Sequence, residues 1–191
     1  MKVGLYFGSF NPIHHGHLII AKYVLQNSDL DQIWFIISPQ NPLKSSGSLL
    51  NEYHRLYLVK CAIEGENNLR AKDIEFRLPK PSYTVNTLAY LQEKHPGFEF
   101  SIIMGSDSYL NIGKWKNAEF ILKNYKIYVY KRSGDEEQAV NNGNVHAVFL
   151  NAPLLQISAT YIRENIKTGK SIRYLVPEKV REEIERNGYY K

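Results

Sequence analysis

Cysteine and long apolar runs are scarce in this 191-residue sequence, and each scarcity excludes a class of protein. The single cysteine, Cys61, excludes a fold held together by internal disulfides and fits a reducing compartment. The longest apolar run spans residues 33–37, whereas a transmembrane helix needs about 20 residues. The first residues lead directly into a strand pattern and lack the apolar segment of a signal peptide. We therefore expect a cytoplasmic protein that does not cross a membrane.

The charge is moderately basic and is not concentrated in one block. The chain has 24 Lys and Arg against 19 Asp and Glu, which gives +5 with neutral histidines. Such a balance suits either nucleic acid or small phosphorylated substrates. Between residues 167 and 191 the basic residues alternate with glutamates, which is typical of a solvated helix face. This distribution favours a small phosphorylated ligand over nucleic acid.

Apolar runs alternate with helical patterns along most of the chain. We expect strands at residues 3–7, 33–37, 74–78, 98–104, 127–130 and 145–150. Helices are expected at 16–25, from Asn51 to 63, around 88–91, and at 118–122, 158–167 and 177–187. This alternation predicts an α/β fold of three layers, with helices on both faces of a doubly wound, mostly parallel sheet.

The chain contains no linker rich in proline, glycine and serine, and no repeat of 20 to 50 residues. We therefore expect a single domain over residues 1–191, with a helical C-terminal part, about 158–191, packed on the rest. The segment 133–144 contains two glycines and three asparagines and is expected to form an exposed loop.

The segment after the first strand, residues 8–17, carries the clearest chemical signal. In a doubly wound sheet, ligands bind outside the carboxyl ends of the strands. Gly8 allows a ligand to approach the backbone, and the helix that begins near Gly16 directs its free N–H groups toward the same crevice. His14 and His17 can both present a ring nitrogen to one anion. The pattern favours a phosphate site; satisfied loop histidines, a zinc site and an acid–base pair are the alternatives.

A second signal lies near the C-terminus, at residues 157–163. Ser158 is a natural helix N-cap, and Thr160 and Arg163 share a face near the positive end of the helix. Hydroxyls, backbone N–H groups and a guanidinium can together hold a triphosphate. The alternative is an ordinary capped helix with an exposed arginine.

These two segments resemble the signatures of the nucleotidyltransferase superfamily. The signature (His/Thr)-x-Gly-His is matched by residues 14–17, and Ile-Ser-x-Thr-x-x-Arg by residues 157–163. The resemblance implies a Rossmann-like fold and transfer of a nucleotidyl group. It implies that the catalytic residues are His14, His17, Lys44 and Arg163. It implies that ATP is bound by Gly8, Ser9, Phe10, His14, His17, Gly105, Asp107, Ser158, Thr160 and Arg163.

Three further features bear on the second substrate. Residues 81–88 open a helix with hydroxyls and free N–H groups, which suits a small anion such as a carboxylate. Asp107 follows the fourth strand and can accept hydrogen bonds from ribose hydroxyls or an amine. Trp115 offers a flat face for an aromatic ring. The alternatives are a simple helix cap at residues 82–84, a helix N-cap at Asp107, and core packing for Trp115.

Together these features resemble the bacterial nicotinate-nucleotide adenylyltransferase family, over essentially the whole chain from Lys2 to Tyr189. In that family a Ser-Tyr-Thr segment receives the pyridine carboxylate and a tryptophan stacks on the nicotinate. The implied nicotinate mononucleotide-binding residues are Ser9, Lys44, Ser82, Tyr83, Thr84 and Trp115. One departure is at residues 41–44, which read Asn-Pro-Leu-Lys where the family often reads Pro-Pro-His-Lys. Lys44 is retained as a phosphate ligand, and Leu43 replaces the histidine.

The resemblance implies transfer of the adenylyl group of ATP to nicotinate mononucleotide, which yields deamido-NAD and pyrophosphate in NAD biosynthesis. Mg²⁺ is expected to arrive with ATP, without a dedicated metal site in the protein. Adenylylation of nicotinamide mononucleotide or phosphopantetheine is the alternative within this class. A non-catalytic nucleotide- or RNA-binding module is the alternative outside it. We expect no nucleic-acid or membrane partner, and a homo-oligomer remains open.

Overall fold

The computed structural model describes residues 1–40, 49–131, 146–153 and 156–191. The described strands are β1 (Lys2–Gly8), β2 (Gln32–Ile37), β3 (Leu69–Lys72), β4 (Glu99–Gly105), β5 (Lys126–Tyr130) and β6 (Ala147–Leu150). The described helices are α1 (His15–Gln26), α2 (Glu52–Ala62), α3 (Thr84–Lys94), α4 (Ser106–Leu110), α5 (Ala118–Asn124), α6 (Ala159–Lys167) and α7 (Glu178–Asn187). Short 3₁₀ helices lie at Ile74–Arg77 and Ile112–Lys114. The loop expected at 133–144 falls outside the described residues.

The described strands form one parallel sheet in the order β3-β2-β1-β4-β5-β6. This is the order of a doubly wound nucleotide-binding sheet, in which the chain winds outward in both directions from its first strand. Gly8 pairs with Ile37 of β2, and Tyr6 pairs with Ile103 of β4, so these strands end at the same edge. The crevice between β1 and β4 at that edge is therefore where a ligand is expected.

Alternate side chains of the strands enter two separate cores, one on each face of the sheet. One core contains Tyr6 and Phe35 and is covered by α1, α2, α6 and α7. The other contains Val3 and Leu5 and is covered by α3, α4 and α5. The three-layer α/β fold predicted from the sequence is confirmed. The single domain over residues 1–191 stays a prediction, although buried residues of α6 and α7 enter the first core.

The strand predicted at residues 74–78 is wrong, because the third strand is Leu69–Lys72 and residues 74–77 form a 3₁₀ helix. β3 lies at the edge of the sheet and has only one buried residue, Leu69, so the sequence there shows no apolar run. Within the 3₁₀ helix the buried side chain is that of Glu75, between partly buried Ile74 and Phe76. The apolar alternation that suggested a strand therefore marks a short helix.

The remaining predicted strands and helices are present, most with ends within two residues of those expected. Gly188 ends α7 in the left-handed conformation, with φ of 63°, as a glycine C-cap allows. Among the described residues, no helix is both long enough and apolar enough to span a membrane.

Asp29 links β1 and β5 at the amino-terminal edge of the sheet, which is opposite the crevice. Its carboxylate accepts a hydrogen bond from the Tyr128 hydroxyl at 2.6 Å and forms ion pairs with Lys2 and Lys126 at 2.6 and 3.1 Å. The hydrogen bond from Lys2, followed by those from Tyr128 and Lys126, holds the pKa of the Asp29 carboxyl well below its usual range. Asp29 therefore stabilises the fold when it is ionised.

Asp29→Asn is expected to lower the free energy of unfolding at pH 7 by at most about 1 kcal/mol, because the ion pairs are half-exposed and screened by solvent. A lowered carboxyl pKa contributes stability above the unfolded-state pKa of about 4, and that stability is lost as pH falls further. The difference in stability between the wild type and the variant should therefore shrink as pH falls below about 4. Urea unfolding at pH 7 and pH 2.5 measures this, with exposed Glu93→Gln as the control. A gap of equal size at both pH values would contradict the assignment.

Candidate active site

A cleft of about 860 Å³ opens at the carboxyl edge of the sheet. Every site residue predicted from the sequence lines it, apart from one that the structure does not describe. These lining residues are Gly8, Ser9, Phe10, His14, His17, Ser82, Tyr83, Thr84, Gly105, Asp107, Trp115, Ser158, Thr160 and Arg163. Lys44, with the departure at residues 41–44, lies outside the described residues. The structure therefore brings the two ends of the chain to one cavity, as the motifs require.

The loop after β1 is shaped by a buried aromatic side chain. Phe10 adopts a positive φ of 45°, a strained conformation for a residue with a side chain, yet it is only 2% exposed. A Cβ on Gly8 would lie 2.8 Å from the tip of the Phe10 ring, so the strand can end this close to Phe10 only with glycine. The Phe10 ring meets the His17 ring edge to face, with centroids 5.1 Å apart. Packing of Phe10 therefore supports the position of His17.

His14 and His17 form one stacked pair at the start of α1. Their ring centroids are 3.7 Å apart with an interplanar angle of 28°. His14 is the N-cap residue, and its backbone N–H donates to Nδ1 of His17 at 3.3 Å. Because Nδ1 of His17 accepts this bond, a neutral ring carries its proton on Nε2. His17 can therefore act as a hydrogen-bond donor through Nε2 at the positive end of a helix.

Arg163 of α6 links the C-terminal part of the chain to the loop after β1. Its Nη1 donates to the backbone carbonyl of Asn11 at 2.8 Å, although the two residues are 152 positions apart. Its Nη2 donates to the Thr160 hydroxyl at 3.2 Å. Ser158 caps α6 as predicted, because its hydroxyl accepts from the backbone N–H of Tyr161 at 3.1 Å. The α6 N-terminus and the guanidinium therefore face the same cavity as the histidines.

The other end of the cleft is formed by α3 and by the segment after β4. Tyr83 is the N-cap residue of α3, so Thr84 provides one of the first N–H groups, which have no carbonyl partner within the helix. Trp115 is partly buried against the second core, as the packing alternative expects, and it also lines the cleft. Its role in stacking on an aromatic ring stays a prediction. Asp107 lies in the first turn of α4, whose N-cap is Gly105, so the alternative of an N-cap at Asp107 is wrong.

Four cationic side chains and two carboxyl groups line the described part of the cleft. The cations are Lys114, Lys116, Lys131 and Arg163, and the carboxyl groups are those of Glu75 and Asp107. This excess of positive charge favours an anionic ligand. The sequence does not indicate the three lysines as site residues, because they lie outside both motifs. Their only sequence signal is proximity to Trp115 and to the end of β5.

Arg55 was also missed, although it holds two walls of the cleft together. This arginine of α2 is fully buried and donates to the backbone carbonyls of Ser9, Ser38, Pro39 and Leu50. Ser9 follows β1 and Ser38 follows β2, so one guanidinium fixes the segments that follow both strands. Burial lowers the pKa of Arg55, but arginine starts so high that it stays cationic at neutral pH. Nothing in the local sequence distinguishes it from an exposed helix residue.

The described residues contain no group of three or more His, Cys, Asp and Glu side chains arranged to hold a metal ion. The histidine pair at α1 therefore lacks, within that part of the chain, the further ligands that the zinc alternative requires.

The parallel sheet and the histidine-lined, cationic cleft at its switch point are typical of a nucleotide-binding protein, and the matches with known proteins place the chain in the nucleotidyltransferase class. Residues 5–165 match the model of the cytidylyltransferase-like family. The chain is 52% identical to a probable nicotinate-nucleotide adenylyltransferase of Flavobacterium psychrophilum, over 100% of both chains. It is 50% identical to one of Cytophaga hutchinsonii, over 100% of this chain and 98% of the relative. The chain belongs to the nicotinate-nucleotide adenylyltransferase family, within the cytidylyltransferase-like proteins.

A solved structure shares this fold. That of Plasmodium falciparum nicotinic acid mononucleotide adenylyltransferase complexed with NaAD aligns with a TM-score of 0.83. The alignment covers 99% of this chain and 97% of that chain at 21% sequence identity. At this identity the likeness supports the three-layer architecture alone.

Proposed function

We propose that this chain transfers the adenylyl group of ATP to nicotinate mononucleotide, giving deamido-NAD and pyrophosphate in NAD biosynthesis. The observation that carries the proposal is a single cleft containing two kinds of site. The histidine pair and Arg163 provide phosphate donors at one end, and the α3 N-terminus beside Trp115 suits an aromatic carboxylate at the other. Full-length identity of about half to relatives named for this activity supports the same conclusion.

The reaction needs no protein nucleophile, because both reactive groups arrive with the substrates. A 5′-phosphate oxygen of nicotinate mononucleotide attacks the α-phosphorus of ATP and forms the new P–O bond. The bond from the α-phosphorus to the α,β-bridging oxygen breaks, and pyrophosphate leaves with that electron pair. The protein contributes alignment and stabilisation of charge. Nε2–H of His17 donates to an α-phosphate oxygen as negative charge increases there, with His14 assisting.

The remaining ATP contacts come from three segments of the cleft. Arg163, Ser158 and Thr160 hold the leaving phosphates, and Gly105 with Asp107 holds the adenosine part. Gly8, Ser9 and Phe10 form the wall nearest the α-phosphate. Mg²⁺ enters as part of the substrate, bound to phosphate oxygens and water, and neutralises the leaving group. Lys44 stays a prediction as a further phosphate ligand.

Nicotinate mononucleotide binds at the α3 end. Ser82, Tyr83 and Thr84 surround the carboxylate, which accepts hydrogen bonds from the first N–H groups of α3. The pyridine ring stacks on Trp115. Ser9, which follows β1 and lines the cleft, contacts the acceptor phosphate. A cytoplasmic location, the absence of a nucleic-acid partner and the oligomeric state stay predictions.

The proposal is tested by pyrophosphate release from MgATP with three acceptors measured side by side. Nicotinate mononucleotide is expected to give a kcat/KM at least about 100-fold above that of nicotinamide mononucleotide, since a site built for a charged group rejects a neutral isostere. Phosphopantetheine should give no turnover. Equal use of the acid and the amide, or a preference for phosphopantetheine, would contradict the assigned acceptor. RNA retention without turnover would favour the binding module instead.

Trp115→Ala is expected to raise KM for nicotinate mononucleotide about three- to tenfold, because aromatic stacking contributes about 0.5–1.5 kcal/mol. KM for ATP should stay within about twofold, since the residue lies at the acceptor end. Steady-state kinetics with each substrate varied in turn measure both effects. Trp115→Phe should retain most of the affinity, and Phe120→Ala, which removes an exposed aromatic ring of α5, is the matched control. Equal rises in both KM values would assign Trp115 to core packing alone.

Gly16→Ala is expected to lower kcat by about tenfold, because small displacements of catalytic groups are costly. The new Cβ would lie 3.0 Å from Nδ1 and 3.1 Å from Cε1 of the His14 ring, which must then move. Stability should change little, because alanine also favours the helix by about 1 kcal/mol. Kinetics and thermal unfolding separate the two effects. Gly97→Ala adds a methyl group in open space and is the control; an unchanged kcat in Gly16→Ala would show that His14 tolerates the shift.

A further inference from the structure

The wall of the cleft beneath the α3 N-terminus contains a buried carboxyl group that the mechanism above does not use. Glu75, in the 3₁₀ helix Ile74–Arg77, lines the cleft although it is only 2% exposed. Its Oε1 accepts a hydrogen bond from the hydroxyl of Thr87 at 2.9 Å, and Thr87 is itself fully buried in the first turns of α3. A buried carboxyl group is costly unless it is neutral or well bonded, so its position calls for a physical reason.

The second oxygen of Glu75 points to that reason. Oε2 is buried and makes no hydrogen bond of normal geometry with any residue that the structure describes, and the same holds for the hydroxyl of Ser82. Burial raises the pKa of Glu75, and the nearby hydroxyls of Ser38, Thr87 and Ser82 only partly counter that rise. No ion pair to a cation is found for Glu75 in the described part of the chain. Burial without a cationic partner therefore disfavours the charged form of this carboxyl group.

The position of these hydroxyls links Glu75 to the turn that precedes and begins α3. Ser82 immediately precedes the N-cap residue Tyr83, and Thr87 donates its backbone N–H to the carbonyl of Tyr83 at 3.3 Å. Glu75 contacts this turn through its hydrogen bond to Thr87, and the Ser82 hydroxyl lies near the same carboxyl group. A neutral acid can contact the turn without repelling an incoming carboxylate, whereas a buried anion at the same place would oppose it.

We propose that Glu75 is a positioning residue for the pyridine carboxylate: its carboxyl group, bonded to the Thr87 hydroxyl and close to Ser82, fixes the α3 N-terminal turn that receives the substrate anion. The inference rests on the proposed function, because it takes nicotinate mononucleotide as the acceptor. Glu75 acts through the turn and does not itself bind the substrate.

The test compares Glu75→Ala with Glu75→Gln in the full-length enzyme. Glutamine is neutral, retains a carbonyl acceptor for Thr87 and adds an N–H donor, so KM for nicotinate mononucleotide should stay within about threefold of the wild type. Alanine removes the bond to Thr87 and the side chain beside Ser82, and should raise that KM at least about tenfold. The preference for the acid over nicotinamide mononucleotide should fall by a similar factor, while KM for ATP changes less than about twofold. Fluorescence titration with nicotinate mononucleotide alone gives the same comparison without turnover.

Thr87→Val keeps the shape of the side chain and removes the hydroxyl, which covers the case in which Glu75→Ala fails to fold. It should lower the acid preference about threefold. Tyr128→Phe, which loses its hydrogen bond to Asp29 at the opposite edge of the sheet, controls for general destabilisation and should leave the preference unchanged. If the variants have a lower Tm but an unchanged acid preference, the role of Glu75 is overturned and the proposed function still stands. A wild type that releases no pyrophosphate with nicotinate mononucleotide would overturn the proposed function, and this inference with it.

Discussion

Replacing His17 with alanine is expected to lower kcat for pyrophosphate release by about 10²–10³-fold, the usual cost of removing one donor to a developing oxyanion. Nε2–H of His17 is assigned as that donor because Nδ1 accepts the backbone N–H of His14. The fold should survive, since the ring is only partly buried and the α1 backbone bonds remain. KM for either substrate should change much less than kcat, because the bond strengthens mainly in the transition state.

His15→Ala is the matched control for this variant. It removes an imidazole from the same motif, but His15 does not line the described cleft, so kcat should stay within about twofold of the wild type. Circular dichroism and thermal unfolding verify that both variants are folded. Near-normal pyrophosphate release by folded His17→Ala would remove His17 from the mechanism.

Arg55→Met is expected to lower the free energy of unfolding by about 3–5 kcal/mol. The side chain is fully buried, and its loss leaves the carbonyls of Ser9, Ser38, Pro39 and Leu50 without this donor. Each buried acceptor left unsatisfied costs about 1–3 kcal/mol, and the relief of burying one cation offsets part of the sum. Urea unfolding followed by circular dichroism measures the change.

Two further variants define what Arg55 does. Arg55→Lys keeps the charge but lacks the planar fork that reaches several carbonyls, so it should recover only part of the lost stability. Arg70→Met removes an arginine that also bonds backbone carbonyls but is exposed on β3, and it should change stability by less than about 0.5 kcal/mol. An Arg55→Met variant within 1 kcal/mol of the wild type would show that the two loops hold their positions without it.

The parts of the site that sequence could predict are those encoded locally. Gly8, His14 and His17 follow directly from one strand and precede one helix, so their meeting at the sheet edge needs only the rule for parallel strands. Ser158 and Arg163 lie on one helix turn, and their spacing alone places them on a common face. The two groups meet because both helices cover the same core, which the strand order determines.

The parts that sequence could not predict depend on contacts between distant segments. Arg55 and Glu75 are charged residues that ordinarily lie at the surface, and only the packed fold shows that both are buried. Residues 74–77 alternate apolar and polar side chains as a strand would, but their backbone bonds turn locally into a 3₁₀ helix. The true third strand is short and at an edge, where burial leaves little apolar pattern to detect.

A crystal structure of the enzyme with deamido-NAD tests most directly whether both ends of the chain build one nucleotidyl-transfer site. The adenylyl phosphate should lie within hydrogen-bond distance of Nε2 of His17, on the side of the cleft where Arg163 joins the loop after β1. The pyridine ring should lie against Trp115, with its carboxylate at the first N–H groups of α3. A dinucleotide bound outside this cleft, or with its phosphates away from His17, would contradict the assignment.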